Sequence, residues 1–165
     1  MSETNKVVEA IIEIPTGSQN KYEFDKDAGV FRLDRVLYSP MHYPTEYGYL
    51  DNTLALDGDP LDVLVITTFP TFPGCVIDTR IIGVLVMSDD KGQDEKLLGV
   101  PVKDPRFAHV KSLDDVSPHV LKEISHFFER YKDLENKVTK IDGWYGPEKA
   151  NALIDECYAR YKESK

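Results

Sequence analysis

The sequence predicts an α+β domain, with strands first and helices last. Three observations carry that expectation. The segment after residue 6 alternates apolar and polar residues with a period of two. Short β-branched runs punctuated by Gly, Pro and Asp continue to about residue 102. The last third then switches to helical spacing. The 165 residues show no repeat or linker-like shift, so residues 1–165 are expected to form one domain, large enough to bury about two-thirds of its unfolded surface.

In "VVEAIIEI", Val8, Ala10, Ile12 and Ile14 form one apolar face, Glu9 and Glu13 alternate with them, and Pro15 stops the strand. Further strands are expected in "KYEF", "VFRLDRVLY", "DVLVITT", "CVIDTRIIGVLVM" and "LLGVPV". They read as a meandering sheet, with a closed barrel as the alternative. After Ser117 and Pro118, an N-cap and a first-turn proline, Val120, Ile124, Phe127, Phe128, Tyr131 and Leu134 fall on one helical stripe. Pro147 opens a second helix with a stripe of Ala150, Leu153, Ile154, Cys157, Tyr158 and Tyr161.

Composition excludes several classes of function. A net charge of −9 disfavours a partner held by phosphate-backbone attraction, so no nucleic acid is expected. The apolar runs are too short to span a membrane, and the N-terminus lacks a signal-peptide pattern, so a cytoplasmic location with reduced Cys75 and Cys157 is expected. Neither cysteine belongs to a metal-ligand cluster, and both read as small core residues.

The stretch "LDGDPLDVLV" crowds three aspartates at the mouth of a buried strand. Asp57 and Asp59 would share a face of an ideal strand and Asp62 would oppose them, so a straight strand cannot gather all three. Gly58 and Pro60 predict a bend that can. Gathered carboxylates repel unless hard cations neutralise them, and carboxylate oxygens are the ligands Mg²⁺ and Ca²⁺ prefer. An isolated D-x-D pair is more often an exposed turn, and the EF-hand order of ligands and flanking helices is missing. Asp89, Asp90 and Asp94 are expected on a second acidic hairpin loop ending in Lys96. Lys21, Arg35, Tyr43, Tyr47, Tyr131 and Lys132 each have an ordinary surface explanation. Together with a carboxylate cluster they suggest a site for a small anion undergoing phosphoryl chemistry.

The motif "DGDPLDV" matches, at every position, the pattern D-[SGDN]-D-[PE]-[LIVMF]-D-[LIVMGAC], and the chain closely resembles the soluble inorganic pyrophosphatases of family I, the magnesium-dependent bacterial type. The resemblance extends through "EIPTGSQNKYEF", "LDRVLYSPMHYPTEYGYLDNTLALDGDPLDVLV", "MSDDKGQDEKLLGVPV" and "HFFERYKDLE". It implies a small five-stranded OB-like β-barrel with two C-terminal α-helices packed outside. The activity implied is hydrolysis of pyrophosphate to two orthophosphates by attack of a Mg-bridged hydroxide, with several Mg²⁺ per site and Mn²⁺ as a substitute. By the same resemblance Asp57, Asp62 and Asp94 hold the first metals, Asp89 joins at a metal arriving with substrate, and Glu13 acts there through water. Asp59 is then the general base, while Lys21, Arg35, Tyr47, Tyr131 and Lys132 grip phosphate. Glu23, Tyr43 and Lys96 line the same cavity.

The resemblance also implies a homohexamer built as two trimers, for which the aromatic face of "HFFERY" is a candidate contact. Two departures stand out. The connection between Glu13 and Lys21 is one residue short, so the path of residues 16–20 is open, and Arg130 stands where some relatives have histidine. The rival readings are a single-strand nucleic-acid module on an OB-like barrel, a calcium-binding domain without turnover, and a phosphohydrolase acting on nucleoside triphosphates.

Overall fold

A computed structural model describes residues 5–165. Its strands are β1 (Val7–Ile14), β2 (Asn20–Asp25), β3 (Val30–Val36), β4 (Glu46–Leu50), β5 (Asp62–Val65), β6 (Val76–Asp89), β7 (Gly92–Pro101) and β8 (Lys140–Tyr145); the helices are α1 (Pro118–Arg130) and α2 (Pro147–Glu163). Strand order β1-β4-β5-β7-β6, with β1 pairing again to β6, closes a five-stranded ring, and β8 adds to β6 outside it. The β5–β7 pair is parallel and the other pairs are antiparallel. The expected five-stranded barrel with two outer helices is therefore present. Strands β2 and β3 form a separate hairpin.

Alternation along the strands feeds two cores. Val8, Ala10 and Ile12 of β1 and Val63 and Val65 of β5 pack with Leu153, Ile154 and Cys157 of α2. Leu64, Leu85 and Leu98 face the other way, onto Ile124, Phe127 and Phe128 of α1. The ring closes tightly at Gly48, where a Cβ would lie 2.0 Å from the Ile11 carbonyl oxygen, so any side chain there would force β4 off β1.

The sequence reading missed β4 and β8. "EYGYL" has no β-branched residue and a central glycine, and "KIDGWY" carries a bulge and Gly143; these interruptions obscure the strand-favouring Tyr, Ile and Trp, and pairing with neighbouring strands completes both. The acidic hairpin is also shorter than expected. Asp89 pairs with Gly92, so only Asp90 and Lys91 turn, and Asp94 and Lys96 lie inside β7. Leu134 does not belong to α1; it lies in a 3-10 turn at Asp133–Glu135 and is 61% exposed. The aromatic rings of "HFFERY" are buried within this chain, which removes them as a subunit contact. No helix among the described residues is long and apolar enough to cross a membrane.

Candidate active site

A cleft of about 430 Å³ opens between the barrel, the β2–β3 hairpin and the end of α1. Its centre follows from strand register. The parallel pairing of β5 and β7 sets Asp62 opposite Lys96, and Asp94, two residues back, shares the Lys96 face. The Lys96 Nζ donates to Asp62 Oδ2 at 3.0 Å, to Asp94 Oδ2 at 3.0 Å and to the Tyr47 hydroxyl at 2.9 Å. The Tyr47 hydroxyl in turn donates to Asp62 Oδ2 at 2.9 Å. Lys96 is only 2% exposed. Burial works against its charge, but Asp62, Tyr47 and Asp94 more than offset this and hold its pKa well above that of an ordinary lysine. Burial pushes the Asp62 carboxyl up, against the pull of Lys96.

The acidic turn sits on the rim. Gly58 adopts φ +90°, which closes the turn, and the Asp59 amide donates to Asp57 Oδ1 at 3.0 Å. Desolvation raises the Asp57 carboxyl, and the charges of Asp59 and Asp94 add to it. Glu13 is the extra residue of a bulge where Ile12 pairs with Gly48 and Ile14 with Tyr47. Its carboxylate accepts from the Phe24 amide at 2.9 Å, yet burial still pushes its pKa up to about 7.

The cationic side comes from the hairpin and from the end of α1. Lys21 donates to Asp34 at 3.1 Å. Tyr131 caps α1 and Lys132 follows it. Burial raises Tyr131 to about 12 and lowers Lys132, which also feels the positive charges of Arg35, Lys21 and Lys137. The Tyr131 ring stacks on Phe127 at 5.0 Å, and Tyr43 packs against Phe127 at 4.8 Å, so an aromatic floor fixes the phenols.

The cleft is lined by Glu13, Lys21, Glu23, Tyr43, Tyr47, Asp57, Asp59, Asp62, Asp89, Asp94, Lys96, Tyr131 and Lys132. Arg35 adjoins this lining, close enough for its charge to act on Tyr131 and Lys132, with Nη1 3.5 Å from Asp34 and Nε 3.4 Å from Glu135; its Nε and Nη2 are buried without a hydrogen-bond partner. Tyr22, Lys26, Tyr49 and Lys91 also line the cleft and were not anticipated, because nothing in their local sequence marks them apart from ordinary strand and turn residues.

The donor set suits a hard divalent cation. It is rich in carboxylate oxygens, with no cysteine or histidine, and three of its carboxyls are raised by burial, a cost that a bound cation relieves. Among the described residues no three acidic, histidine or cysteine side chains converge into a ready coordination shell. The Lys96 ammonium instead bridges Asp62 and Asp94.

The site belongs to a small closed-barrel α+β protein with an acidic cleft that also carries lysines. Residues 10–162 match the family described as Inorganic pyrophosphatase, and the chain belongs to that family. It is 71% identical to the inorganic pyrophosphatase of Geobacillus stearothermophilus, over the full length of both chains. Its fold is similar to the crystal structure of inorganic pyrophosphatase from Thermus thermophilus, with a TM-score of 0.93 and 45% identity over 98% of this chain and 95% of that one. The inorganic pyrophosphatase of Helicobacter pylori superposes with a TM-score of 0.93 at 42% identity, over 98% of both chains.

Proposed function

We propose that this chain hydrolyses inorganic pyrophosphate to two orthophosphates. The observation that carries the reading is the convergence of its acidic residues with Lys21, Lys96 and Lys132 on one cleft, in a chain of the inorganic pyrophosphatase family. Membership of the family brings divalent-metal dependence. We assign Mg²⁺, with Mn²⁺ able to substitute, to Asp57, Asp62 and Asp94, with Asp89 and Glu13 completing the set. Bound there, such ions neutralise substrate charge and acidify water.

In the reaction one water oxygen bonds to a phosphorus, the bridging P–O bond breaks, and the water's proton passes to a base. Asp59 is assigned that role, because it stands on the rim at the acidic turn. Lys21, Arg35 and Lys132 hold the phosphate oxygens. Tyr47 and Tyr131 orient the bound phosphates, and Tyr43, Glu23 and Lys96 line the cavity around them. Lys96 also keeps Asp62 and Asp94 aligned.

The protein is assigned to the cytoplasm, without nucleic-acid or membrane partners, as a homohexamer of two trimers; light scattering tests the assembly. The activity test follows phosphate release from pyrophosphate with Mg²⁺ and after chelation, with ATP as the competing substrate. Rapid Mg²⁺-dependent release with little from ATP is expected. No release with any divalent metal would return the cleft to a binding role.

A further inference from the structure

Glu46 is fully buried, belongs to neither the acidic nor the cationic lining of the cleft, and carries no salt bridge among the described residues. Its carboxylate is nevertheless spoken for on both oxygens. Oε2 accepts from the Thr16 amide at 2.6 Å; Oε1 accepts from the Thr71 amide at 3.1 Å and from the Thr71 hydroxyl. Such a group costs much to bury, and its three donors show what it holds.

One end of this strut is tied to the barrel. The loop carrying Thr71 is pinned to β1 by Gly74 N donating to the Ile12 carbonyl at 2.7 Å and Ile12 N donating to the Cys75 carbonyl at 2.9 Å. The other end is the turn between Glu13 and Lys21, the short connection whose path the sequence left open. From Thr16 the chain runs through Gly17 and Ser18, which exchange backbone hydrogen bonds with Tyr43 at 2.8 and 2.9 Å, and reaches Lys21 two residues into β2. The β2–β3 hairpin shares no ladder with the barrel; it is held over the cleft by these bonds together with Glu13 on the Phe24 amide, Tyr22 packed on the second core and the Arg35–Glu135 ion pair, and the bonds before β2 are the ones nearest Lys21 in the chain.

We propose that Glu46 is a positioning residue for the phosphate grip: it anchors the turn before β2 to the barrel and thereby holds the β2–β3 hairpin, with Lys21, over the cleft. A carboxylate is needed because glutamine offers one acceptor oxygen and sets an NH₂ against one of the backbone donors. The inference rests on the assignment of Lys21 to substrate binding. Because Lys21 holds phosphate before and during reaction, loosening it raises KM more than it lowers kcat.

The test compares wild type with Glu46→Gln and Thr71→Val at saturating Mg²⁺. It reads KM and kcat for pyrophosphate, and hydrogen exchange across residues 15–24 without substrate. Glu46→Gln is expected to raise KM about tenfold with kcat within about threefold, and to speed exchange at residues 16–24 while β6 and β7 stay protected. Thr71→Val, which keeps the backbone donor, should move KM about threefold in the same direction. A lower Tm with KM and hairpin exchange unchanged would make Glu46 a packing residue and overturn the proposal. If Glu46→Gln does not fold, Thr71→Val alone decides: no change in KM or exchange overturns it. If the wild type releases no phosphate from pyrophosphate, the functional reading has failed, and the exchange data still report whether Glu46 holds the hairpin.

Discussion

Asp62 and Asp94 sit on neighbouring strands around a buried ammonium, whereas Asp57 and Asp59 sit on an exposed turn where no salt bridge among the described residues reaches them. The first pair is placed by ladder register, which a one-residue slip would destroy. The second is placed by local turn bonds: a glycine at positive φ, one amide-to-carboxylate bond, and backbone bonds between Ala55 and Gly58 and Asp59. The difference teaches how one cleft combines two mechanical regimes. Its centre is held by strand pairing and by one ammonium shared between two carboxylates, which leaves one negative charge for a cation to offset; its rim is solvated, so it can exchange protons and ligands without disturbing the core.

The sharpest way to break this contrast is to remove the ammonium. Lys96→Met should destabilise the metal-free protein by about 3 kcal/mol, because two part-buried carboxylates, 22% and 19% exposed, lose the buried ammonium they share. Denaturant unfolding with and without Mg²⁺ checks this, with partial rescue by the metal expected.

On the rim the opposite pattern is expected. Asp59→Asn should lower turnover at neutral pH about 10²–10⁴-fold while changing stability by no more than about 0.5 kcal/mol. Near-wild-type turnover would remove Asp59 from the base role.

Glu13 lies between the two regimes, and pH resolves it. Its carboxyl is raised from 4.5 to about 7 in the fold, so its contribution to stability is fully present below the unfolded value and is lost as pH rises through about 7. In chelator, that loss between pH 4.5 and 8 amounts to about 3 kcal/mol at most. Glu13→Gln should flatten this slope and be the more stable protein, relative to wild type, at pH 8. Parallel slopes for the two proteins would show that Glu13 is not held neutral.

The smallest effect is expected at Gly58. No atom lies within 4 Å of a Cβ there, so Gly58→Ala meets only the strain of φ +90°. It should cost about 1 kcal/mol, with activity falling through the displaced Asp57 and Asp59.

Much of this site was legible before the fold. The D-x-D-P-x-D spacing, the alternation in β1 and the helical stripes of α1 and α2 are local patterns; the strand and both helices appear where they were expected, except that Leu134 falls beyond α1 and Tyr158 is exposed. Lys96 shows where local reading stopped. It was placed at the end of a loop, yet it is the buried centre of the cleft, because a parallel neighbour 34 residues away supplies its partner. Arg35, expected in the phosphate grip, lies between Asp34 and Glu135, a placement that its local sequence beside Asp34 announces only in part. The strand "EYGYL" could not be read at all, since its central glycine obscures the strand-favouring tyrosines and pairing with β1 and β5 completes it.

The sequence by itself determined the residue types and their order along the chain: the oxygen-rich acidic motif, the cations and phenols near it, and the switch from strands to helices. Those features follow from side-chain chemistry and short-range periodicity, which act within a few residues. Only the tertiary structure decided that β1 closes the ring against β6, that Asp62 and Asp94 share one ammonium, and that Glu46 ties the turn before Lys21 to the barrel. Those are contacts between residues far apart in sequence, selected by the burial of two cores and the pairing of backbone groups across strands, and no local pattern encodes them.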